Sequence, residues 1–542
     1  MVIALLKKLN DGYKIMSNKR FSCKRSDKKS SSVVHSIIES IVRNIVYALT
    51  HVISMSDYVE SDSKNSKSSS KSSNKSSRSV SSGSSSTNSF SLFDNSNYRN
   101  GGNGGNDAQE SLNDAKSANE AESQTSFNNK KLQKSAFRKY IGVRSIFNPL
   151  WCLYGLRLSV VLLSVFGVFM VISSSSITLI SRNNSPWGKG LWQAGFCIAG
   201  FIAYFLLSRV VPTNFYRKKI GLIYIFAIAM QILTWIPGIR HEANGNAGWI
   251  KIGYISLQPA EITKLALCMW LPMALLIAAK RYKSIGFKAY FPVLIGLAFP
   301  VLLIVAGKDL GTALIVIFIA FVSFYIGGFP TKWLFVIAGL AIAGVLLMIV
   351  TSQNRMRRIF ATFYGCDAKD IRGVCFQSIH AQYAIASGGF LGVGIGNSRE
   401  KWNYLPYAHN DFIFAIIGEE MGFLGASIVI ALYIVIGWCL IASALKARSR
   451  FISIVLVCIA SWIVGQGLVN ILVVVQVLPV MGVPMPFVSA GGSSLVMCLA
   501  AIGVADSLMR ENLRTLIVYN VPISGLKKSS LSKVGSAKDS VR

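Results

Sequence analysis

Between residues 150 and 515 the chain is dominated by apolar runs of membrane length, separated by polar loops. Apolar runs of about eighteen residues or more cross a bilayer core of about 30 Å as helices, because a helix satisfies its own backbone polar groups. The pattern predicts an all-α polytopic membrane protein. About ten transmembrane helices are expected, centred near residues 168, 200, 229, 270, 298, 318, 342, 428, 464 and 500.

The formal net charge of +32 could suggest a nucleic-acid-binding protein. The basic residues lie, however, in the first part of the chain, in short loops and at the C-terminal end, which indicates membrane topology and attraction to anionic lipid. Lysine and arginine cluster after the second, fourth and eighth predicted spans. This bias places both termini in the cytoplasm and the large loop 352–410, between spans seven and eight, outside the cytoplasmic membrane.

Composition divides the chain into three parts. Residues 1–129 are rich in serine, asparagine and lysine, which predicts a disordered cytoplasmic tail. Within it, residues 33–55 are apolar at helical spacing but carry charges, so they form a candidate amphipathic helix on the membrane surface. Residues 130–515 form the predicted ten-helix membrane domain, and 516–542 a basic cytoplasmic tail.

The large loop combines acids, bases, glycines and aromatic residues at a density that no other loop of the chain has. Cations in a long outside loop carry little topological weight. They predict instead the binding of a phosphate-bearing ligand. These residues are Arg355, Arg357, Arg358, Lys369, Arg372, Arg399 and Lys401.

Several ionisable residues lie in or at the edge of predicted spans, where charge is costly and is usually functional or internally paired. Glu261 and Lys264 are three residues apart on one helix face and can pair. The Pro479–Ser494 stretch is rich in glycine, proline and serine. Irregular backbone at membrane depth must line a cavity or be buried in protein. The other ionisable residues of this kind are Asp309, Asp411, Glu419 and Glu420.

Four stretches in this order and spacing resemble the SEDS family, the membrane glycosyltransferases FtsW and RodA. They are Gln258–Lys264, Asp309–Thr312, Leu405–Glu420 and Pro484–Ser494. The resemblance covers roughly residues 150 to 515. Within the family, Lys401–Phe412 looks more like the division member FtsW than the elongation member RodA.

The resemblance implies that the chain polymerises lipid II, an undecaprenyl-diphosphate-linked disaccharide-peptide, into glycan strands at the outer face of the membrane. It also implies a class B penicillin-binding protein transpeptidase and other divisome proteins as partners, and a location at the division septum. The family's essential aspartate precedes an aromatic-Gln pair by six residues. Counting back from Phe376-Gln377, with Gly373 in place, gives Asp370, with Asp367 as the alternative.

The reaction joins a sugar hydroxyl to an anomeric carbon with a lipid diphosphate as leaving group. A hydroxyl is a poor nucleophile, so a positioned carboxylate is expected to take its proton, and Asp370 is the candidate general base. One base suffices for inversion, because the diphosphate leaves without protonation. Charge on the diphosphate is expected to be neutralised by Arg358, Lys264 or Lys401, or by a divalent cation, Mg²⁺ or Mn²⁺.

The remaining candidate substrate-binding residues follow from the same motifs, whereas no residue is assigned as a metal ligand. His380 and His409 lack a second histidine at ligand spacing. Cys366 and Cys375 flank Asp370 and are either a disulfide or two free thiols. The additional substrate-binding candidates are Gln258, Glu261, Asp309, Gln377, His409, Asp411 and Ser489.

Three other functions compete with septal polymerisation. A lipid II flippase would need alternating access, which internal repeats often betray, and the sequence has no visible repeat. A scaffold could recruit division proteins through the serine-rich tail. A RodA-like polymerase in cell elongation is the third alternative, and the sequence separates it only weakly from the division role.

Overall fold

The computed structural model describes residues 146–236, 240–243, 246–252, 255–366, 370–371 and 373–520. The predicted tail over 1–129, the candidate helix over 33–55 and the chain beyond Asn520 lie outside the described residues.

Helices make up most of the described chain, as predicted. A π-helical turn, Leu206–Val210, extends α2, and a 3₁₀ turn, Gly286–Tyr290, joins α5 to α6. The α-helices are α1 Pro149–Ile180, α2 Gly188–Phe205, α3 Thr213–Lys218, α4 Ile220–Leu233, α5 Pro259–Ile285, α6 Phe291–Ala306, α7 Leu310–Ile326, α8 Thr331–Val350, α9 Gln353–Tyr364, α10 Phe376–Gly388, α11 Ile413–Leu445, α12 Arg450–Val474 and α13 Gly492–Asn520.

Seven helical stretches of the described chain are long and apolar enough to cross a membrane. One of these stretches, Pro259–Ala306, comprises both α5 and α6. The helices α4 and α7 are also apolar but shorter, and they are not among the seven stretches. Each predicted span centre falls inside a helix. The polytopic helical architecture is therefore confirmed, and the number of ten crossings stays a prediction.

The helices differ greatly in how much of their surface other helices cover. α13 packs against α2 and α12, and α11 packs against α1 and α12, so these helices form the main core. The helix α8, by contrast, has twenty described residues, and of these Leu334 alone is buried. Because helix association in a bilayer rests on packing and internal hydrogen bonds, α11 to α13 form the interior and α8 lies at the periphery.

Local sequence signals explain where the helices of the core begin. The Asn148 side chain accepts a hydrogen bond from the Leu150 N–H at 3.0 Å, and Pro149 occupies the first helical position of α1. The Asp309 carboxylate caps α7 in the same way, accepting from the Thr312 N–H at 3.0 Å. Three residues, Gly307 to Asp309, therefore join α6 to α7.

A small antiparallel sheet precedes α5. Its strands are β1 Arg240–Ala243, β2 Asn246–Ile252 and β3 Ile255–Leu257, in the order β1-β2-β3. The register pairs Ile250 with Leu257. The sheet therefore ends directly at Gln258, the residue before the first turn of α5.

Helix α11 is broken at Gly422, whose φ of 64° and ψ of −162° are not helical. The glycine loop, which we define as residues 389–396, docks on this break through backbone hydrogen bonds. The carbonyls of Glu419 and Glu420 accept from the N–H groups of Val393 and Gly394, each at 3.0 Å. In return, the N–H groups of Phe423 and Leu424 donate to the carbonyls of Gly389 and Phe390 at 2.9 and 3.1 Å. The loop thus replaces helical bonds that the break removes.

The irregular stretch before α13 is held by side chains of the surrounding helices. Gln466 and Asn470 on α12 donate their amide hydrogens to the carbonyls of Pro484 and Val483, each at 2.8 Å. Gln193 on α2 donates to the carbonyl of Ser489 at 3.1 Å. Of the two alternatives predicted for this irregular backbone, these contacts show that it is supported inside the protein.

The docking of the glycine loop predicts a specific sensitivity to added side chains. A Cβ atom at Gly392, whose φ is +84°, would lie 2.2 Å from the carbonyl oxygen of Glu420. We expect Gly392→Ala to lower the free energy of unfolding by about 3 kcal/mol. The alanine would be strained at this positive φ, and its Cβ would also push the backbone of Glu420 away from the loop. Thermal unfolding of the purified protein in detergent measures the change.

Gly396→Ala is the matched control, because Gly396 also has a positive φ, +87°, but nothing lies within 4 Å of an added Cβ. This variant should show the strain alone, about 1–2 kcal/mol. Equal losses in the two variants would contradict the close backbone docking.

Candidate active site

Asp370 lies in a short loop that a disulfide closes. Cys366 and Cys375 are bonded, with an S–S distance of 2.09 Å and a Cα–Cα distance of 6.3 Å. The carbonyl of Asp370 accepts hydrogen bonds from the N–H groups of Gly373 at 3.0 Å and Cys375 at 3.1 Å. The side chain of Asp370 is half-buried, and α10 begins immediately after Cys375. The candidate base is therefore carried on a turn that is fixed at both ends. Asp367, the alternative, lies outside the described residues.

A small pocket adjoins the disulfide loop. Arg358 contributes a cationic wall and donates from Nη1 to the carbonyl of Val480 at 3.3 Å. Gln377, another predicted site residue, lies in the first turn of α10 next to Cys375. Cationic, hydroxyl and amide groups therefore meet beside the loop of Asp370. The lining residues are Arg358, Ala361, Thr362, Cys366, Val374, Cys375, Ser378, Gln476 and Val480.

Three predicted residues, Gln258, Asp309 and Asp411, lie near one another and near Arg358. Gln258 Nε2 donates to Asp309 Oδ2 at 2.8 Å, and the Thr312 hydroxyl donates to the same oxygen at 2.9 Å. Burial and the charge of Asp309 raise the pKa of Asp411 to about 6, against the opposing effect of Arg358. The structure therefore brings these residues together at one end of the helices, and their role in substrate binding stays a prediction.

His409 and Ser489 join the large loop to the irregular stretch before α13. The carbonyl of His409 accepts from the Ala490 N–H at 2.9 Å, and the Ser489 hydroxyl donates to the carbonyl of Asn410 at 2.7 Å. His409 Nε2 lies 2.7 Å from Lys189 Nζ. Burial and then the charges of Lys189 and Arg182 lower the pKa of His409 to about 4. The imidazole is therefore neutral at physiological pH and accepts the lysine's hydrogen bond.

Lys264 and Glu261 pair as predicted, but deep inside the protein. Lys264 Nζ donates to Glu261 Oε1 at 2.7 Å and to Gln466 Oε1 at 2.8 Å. The ammonium also lies 5.0 Å from the ring centre of Trp462. Only 1% of the surface of each of these two residues is exposed. In this arrangement Lys264 is an internal partner and does not face the pocket beside Asp370.

Lys401 is likewise buried and does not line that pocket. Its ammonium donates to Glu420 Oε1 at 3.0 Å and to the carbonyl of Gly396 at 2.5 Å. The Ser173 hydroxyl on α1 donates to the same carboxylate at 2.7 and 2.8 Å. The neighbouring Glu419 accepts from the Ser398 hydroxyl at 2.5 Å. These contacts tie the loop after the glycines to α1 and α11.

Sequence reasoning missed the polar partners on the first two helices. Ser173, Lys189 and Gln193 contact Glu420, His409 and Ser489, respectively. A run of four serines inside an apolar helix and a lone lysine at the start of another are unusual at membrane depth. Those two features are the signal that could have identified Ser173 and Lys189.

Residues 155–513 match the FtsW/RodA/SpoVE family, described as cell cycle proteins. The chain belongs to this family. The resemblance inferred from the four motifs is therefore confirmed, and the protein is a multi-pass membrane protein.

Two curated members illustrate the relationship. Stage V sporulation protein E of Bacillus subtilis is 33% identical over 350 residues, which cover 64% of this chain and 94% of that protein. A probable peptidoglycan glycosyltransferase FtsW of Mycobacterium tuberculosis is 32% identical over 351 residues, which cover 65% of this chain and 66% of that protein.

One solved structure is described as "Structural coordination of polymerization and crosslinking by a peptidoglycan synthase complex". A chain of that structure is 26% identical in sequence to the present chain, with a TM-score of 0.54. The match covers 66% of this chain and 98% of the other.

The buried Lys401–Glu420 pair makes a testable prediction about stability. Lys401→Met leaves the Glu420 carboxylate, which is 1% exposed, with the Ser173 hydroxyl but without a cation. We expect a loss of about 3 kcal/mol, because an uncompensated buried charge is costly. The double variant Lys401→Met/Glu420→Gln removes the charge and should recover part of the loss. Thermal unfolding in detergent compares them, and equal losses would show that the charge itself is irrelevant.

The lowered pKa of His409 predicts a pH dependence. Because the folded state favours the neutral imidazole, this stabilisation is fully present above pH 6.5 and is lost as the pH falls toward 4. The loss approaches about 3 kcal/mol below that pH.

Unfolding of the unsubstituted protein and His409→Gln should therefore be compared between pH 7.5 and pH 4.5. The titration of Asp411 is common to both proteins and cancels in the difference. A stability difference that stays constant over this range would exclude the proposed state of His409.

Proposed function

We propose that this chain is a peptidoglycan glycosyltransferase that polymerises lipid II. Membership in the FtsW/RodA/SpoVE family and the names of its relatives support this activity. The observation that carries the catalytic assignment is the half-buried Asp370 in a disulfide-closed loop beside a pocket walled by Arg358.

Asp370 acts as the general base in this proposal. The acceptor sugar hydroxyl loses its proton to the carboxylate as its oxygen attacks the anomeric carbon, and the bond to the lipid diphosphate breaks. The configuration inverts in this single step. The N–H groups of Gly373 and Cys375 donate to the Asp370 carbonyl and restrict the backbone that carries the carboxylate before substrate binds. This lowers the entropic cost of positioning the base.

Arg358 is the cation that neutralises the departing diphosphate. Its planar guanidinium suits two phosphate oxygens, and it lies in the wall of the pocket. Lys264 and Lys401, the other candidates from the sequence, are held by Glu261 and Glu420 in buried ion pairs. In this arrangement they support the site from within.

A divalent cation is the alternative source of charge neutralisation. In the part of the chain that the structure describes, no group of three or more histidine, cysteine or acidic side chains is arranged to hold a metal ion. The divalent cation stays an alternative, and the mechanism above uses no step through such an ion.

The large loop faces the outside of the cytoplasmic membrane in this proposal, with ten crossings and both termini in the cytoplasm. The ten helices that contain the predicted centres support the even number of crossings. The Cys366–Cys375 bond supports the outside location of the loop, because disulfides persist in oxidising compartments.

We assign the polymerase to septal wall synthesis, in a complex with a class B penicillin-binding protein and other divisome proteins. The FtsW-like Lys401–Phe412 motif supports the division role. The likeness to a chain in a complex that coordinates polymerization and crosslinking supports a crosslinking partner.

The decisive test is strand polymerisation by purified Asp370→Asn in liposomes containing labelled lipid II. We expect a normal unfolding temperature and a loss of product of at least a hundredfold, because general-base catalysis contributes about 10²–10⁴-fold. Asp367→Asn, three residues away, is the matched control and should retain activity.

Product from Asp370→Asn together with loss in Asp367→Asn would move the base to Asp367. Inversion of labelled lipid II across the bilayer is scored in the same liposomes. Inversion without polymer from the unsubstituted protein would replace the polymerase with the flippase.

A further inference from the structure

The glycine loop exposes an unusual amount of apolar surface. Phe390, Leu391 and Ile395 are 66%, 72% and 71% exposed, and Val393 is 40% exposed. We call these four side chains the apolar tip. From Ser387 to Ser398 the sequence contains no charged residue. A contiguous apolar surface of this kind is typical of a site of interaction with membrane or protein.

The apolar tip is continuous with the exposed face of α11. Before the break, residues Ile413 to Glu420 are all buried. After it, Phe423 and Leu424 are exposed, and the Phe423 ring stacks on Phe390 with centroids 6.0 Å apart. The exposed apolar series then continues down the helix with Ile428, Ile434 and Ile441. The lipid-facing side of α11 therefore begins at the level where the loop docks.

The length of α11 places this level at the edge of the bilayer core. From Phe423 to Leu445 the helix measures about 34 Å at 1.5 Å per residue. That length matches a hydrocarbon core of about 30 Å, so the part after the break crosses the membrane by itself. The apolar tip then lies at the boundary of the hydrocarbon core, on the side of Asp370.

The backbone of the loop is prepared for such an environment. Backbone polar groups at membrane depth must be paired within the protein. Four backbone groups of the loop are hydrogen-bonded to the residues on either side of the break in α11. They are the N–H groups of Val393 and Gly394 and the carbonyls of Gly389 and Phe390. The loop therefore presents apolar side chains outward while these polar groups are bonded inward.

We propose that the glycine loop is a re-entrant membrane anchor whose apolar tip inserts among lipid acyl chains of the leaflet on the Asp370 side. Helix α10 connects this anchor to the disulfide loop. It starts after Cys375, ends at Gly388 and spans about 18 Å at 1.5 Å per residue.

The anchor therefore sets the height of the disulfide loop relative to the bilayer. Its value for catalysis rests on the proposed function, in which the diphosphate of a membrane-held substrate must meet Asp370 at a fixed level.

Site-directed spin labelling measures the depth of the tip directly. A nitroxide is attached at Leu391→Cys in the full-length protein, reconstituted in phosphatidylethanolamine–phosphatidylglycerol liposomes. The six free cysteines of the described residues are buried and Cys366 and Cys375 are bonded to each other. Cys23 lies outside the described residues and is replaced by serine. Collision rates with dioxygen, which enters the bilayer, and with a water-soluble nickel chelate are then recorded.

Two matched positions calibrate the result. Ile434→Cys lies on the lipid-facing side of α11, and Tyr404→Cys lies in the large loop; both parent side chains are 57% exposed. We expect Leu391 to resemble Ile434, with a dioxygen-to-nickel collision ratio several-fold above that at Tyr404.

A ratio at Leu391 equal to that at Tyr404 would overturn the anchor. The measurement requires no enzymatic activity, so failure of the anchor is distinguishable from failure of the proposed polymerase. All three labelled residues are exposed, and unfolding temperatures of the labelled proteins establish that each is folded.

Discussion

The hydrocarbon core of the membrane contains no water, and this governs how the backbone of the chain is arranged. It requires each backbone group there to find a partner within the protein. Two irregular elements among the described residues show how such partners are supplied. At the break in α11 the glycine loop supplies the missing partners. Before α13, Gln466, Asn470 and Gln193 supply them. The glycine loop and the stretch before α13 are therefore ordered parts of the fold, and they position the loop residues next to them.

The same constraint decides which of the charged residues are available to a substrate. Buried charges must be paired, so Lys264 is held by Glu261 and Lys401 by Glu420. Arg358 stands on α9, where none of the residues is fully buried, and lines the pocket beside the disulfide loop. Two cations therefore stabilise the framework from inside, and the third is placed for contact with a diphosphate.

Asp370 is connected to the framework through α10. The disulfide loop lies at one end of this helix and the glycine loop at the other, and α10 packs against α11. Along that contact Gly388 and Gly418 allow close backbone approach, since a Cβ at Gly388 would lie 1.9 Å from the carbonyl oxygen of Gly418. The position of the candidate base therefore depends on glycines some distance along the chain from it.

The helices could be predicted from the amino-acid sequence, because a membrane-length apolar run has few other structures open to it. It also indicated the family through four ordered motifs, and the pairing of Glu261 with Lys264 through their spacing on one helix face. The role of Asp370 stays a prediction from the same motifs.

The long-range partners of the polar residues could not be predicted and are apparent only in the folded protein. Lys401 pairs with Glu420, and His409 contacts Lys189; in each pair the two residues belong to different elements. Spacing along the chain carries no information about which elements meet. The same packing decides that Lys264 and Lys401 lie in buried ion pairs and that Arg358 lines the pocket.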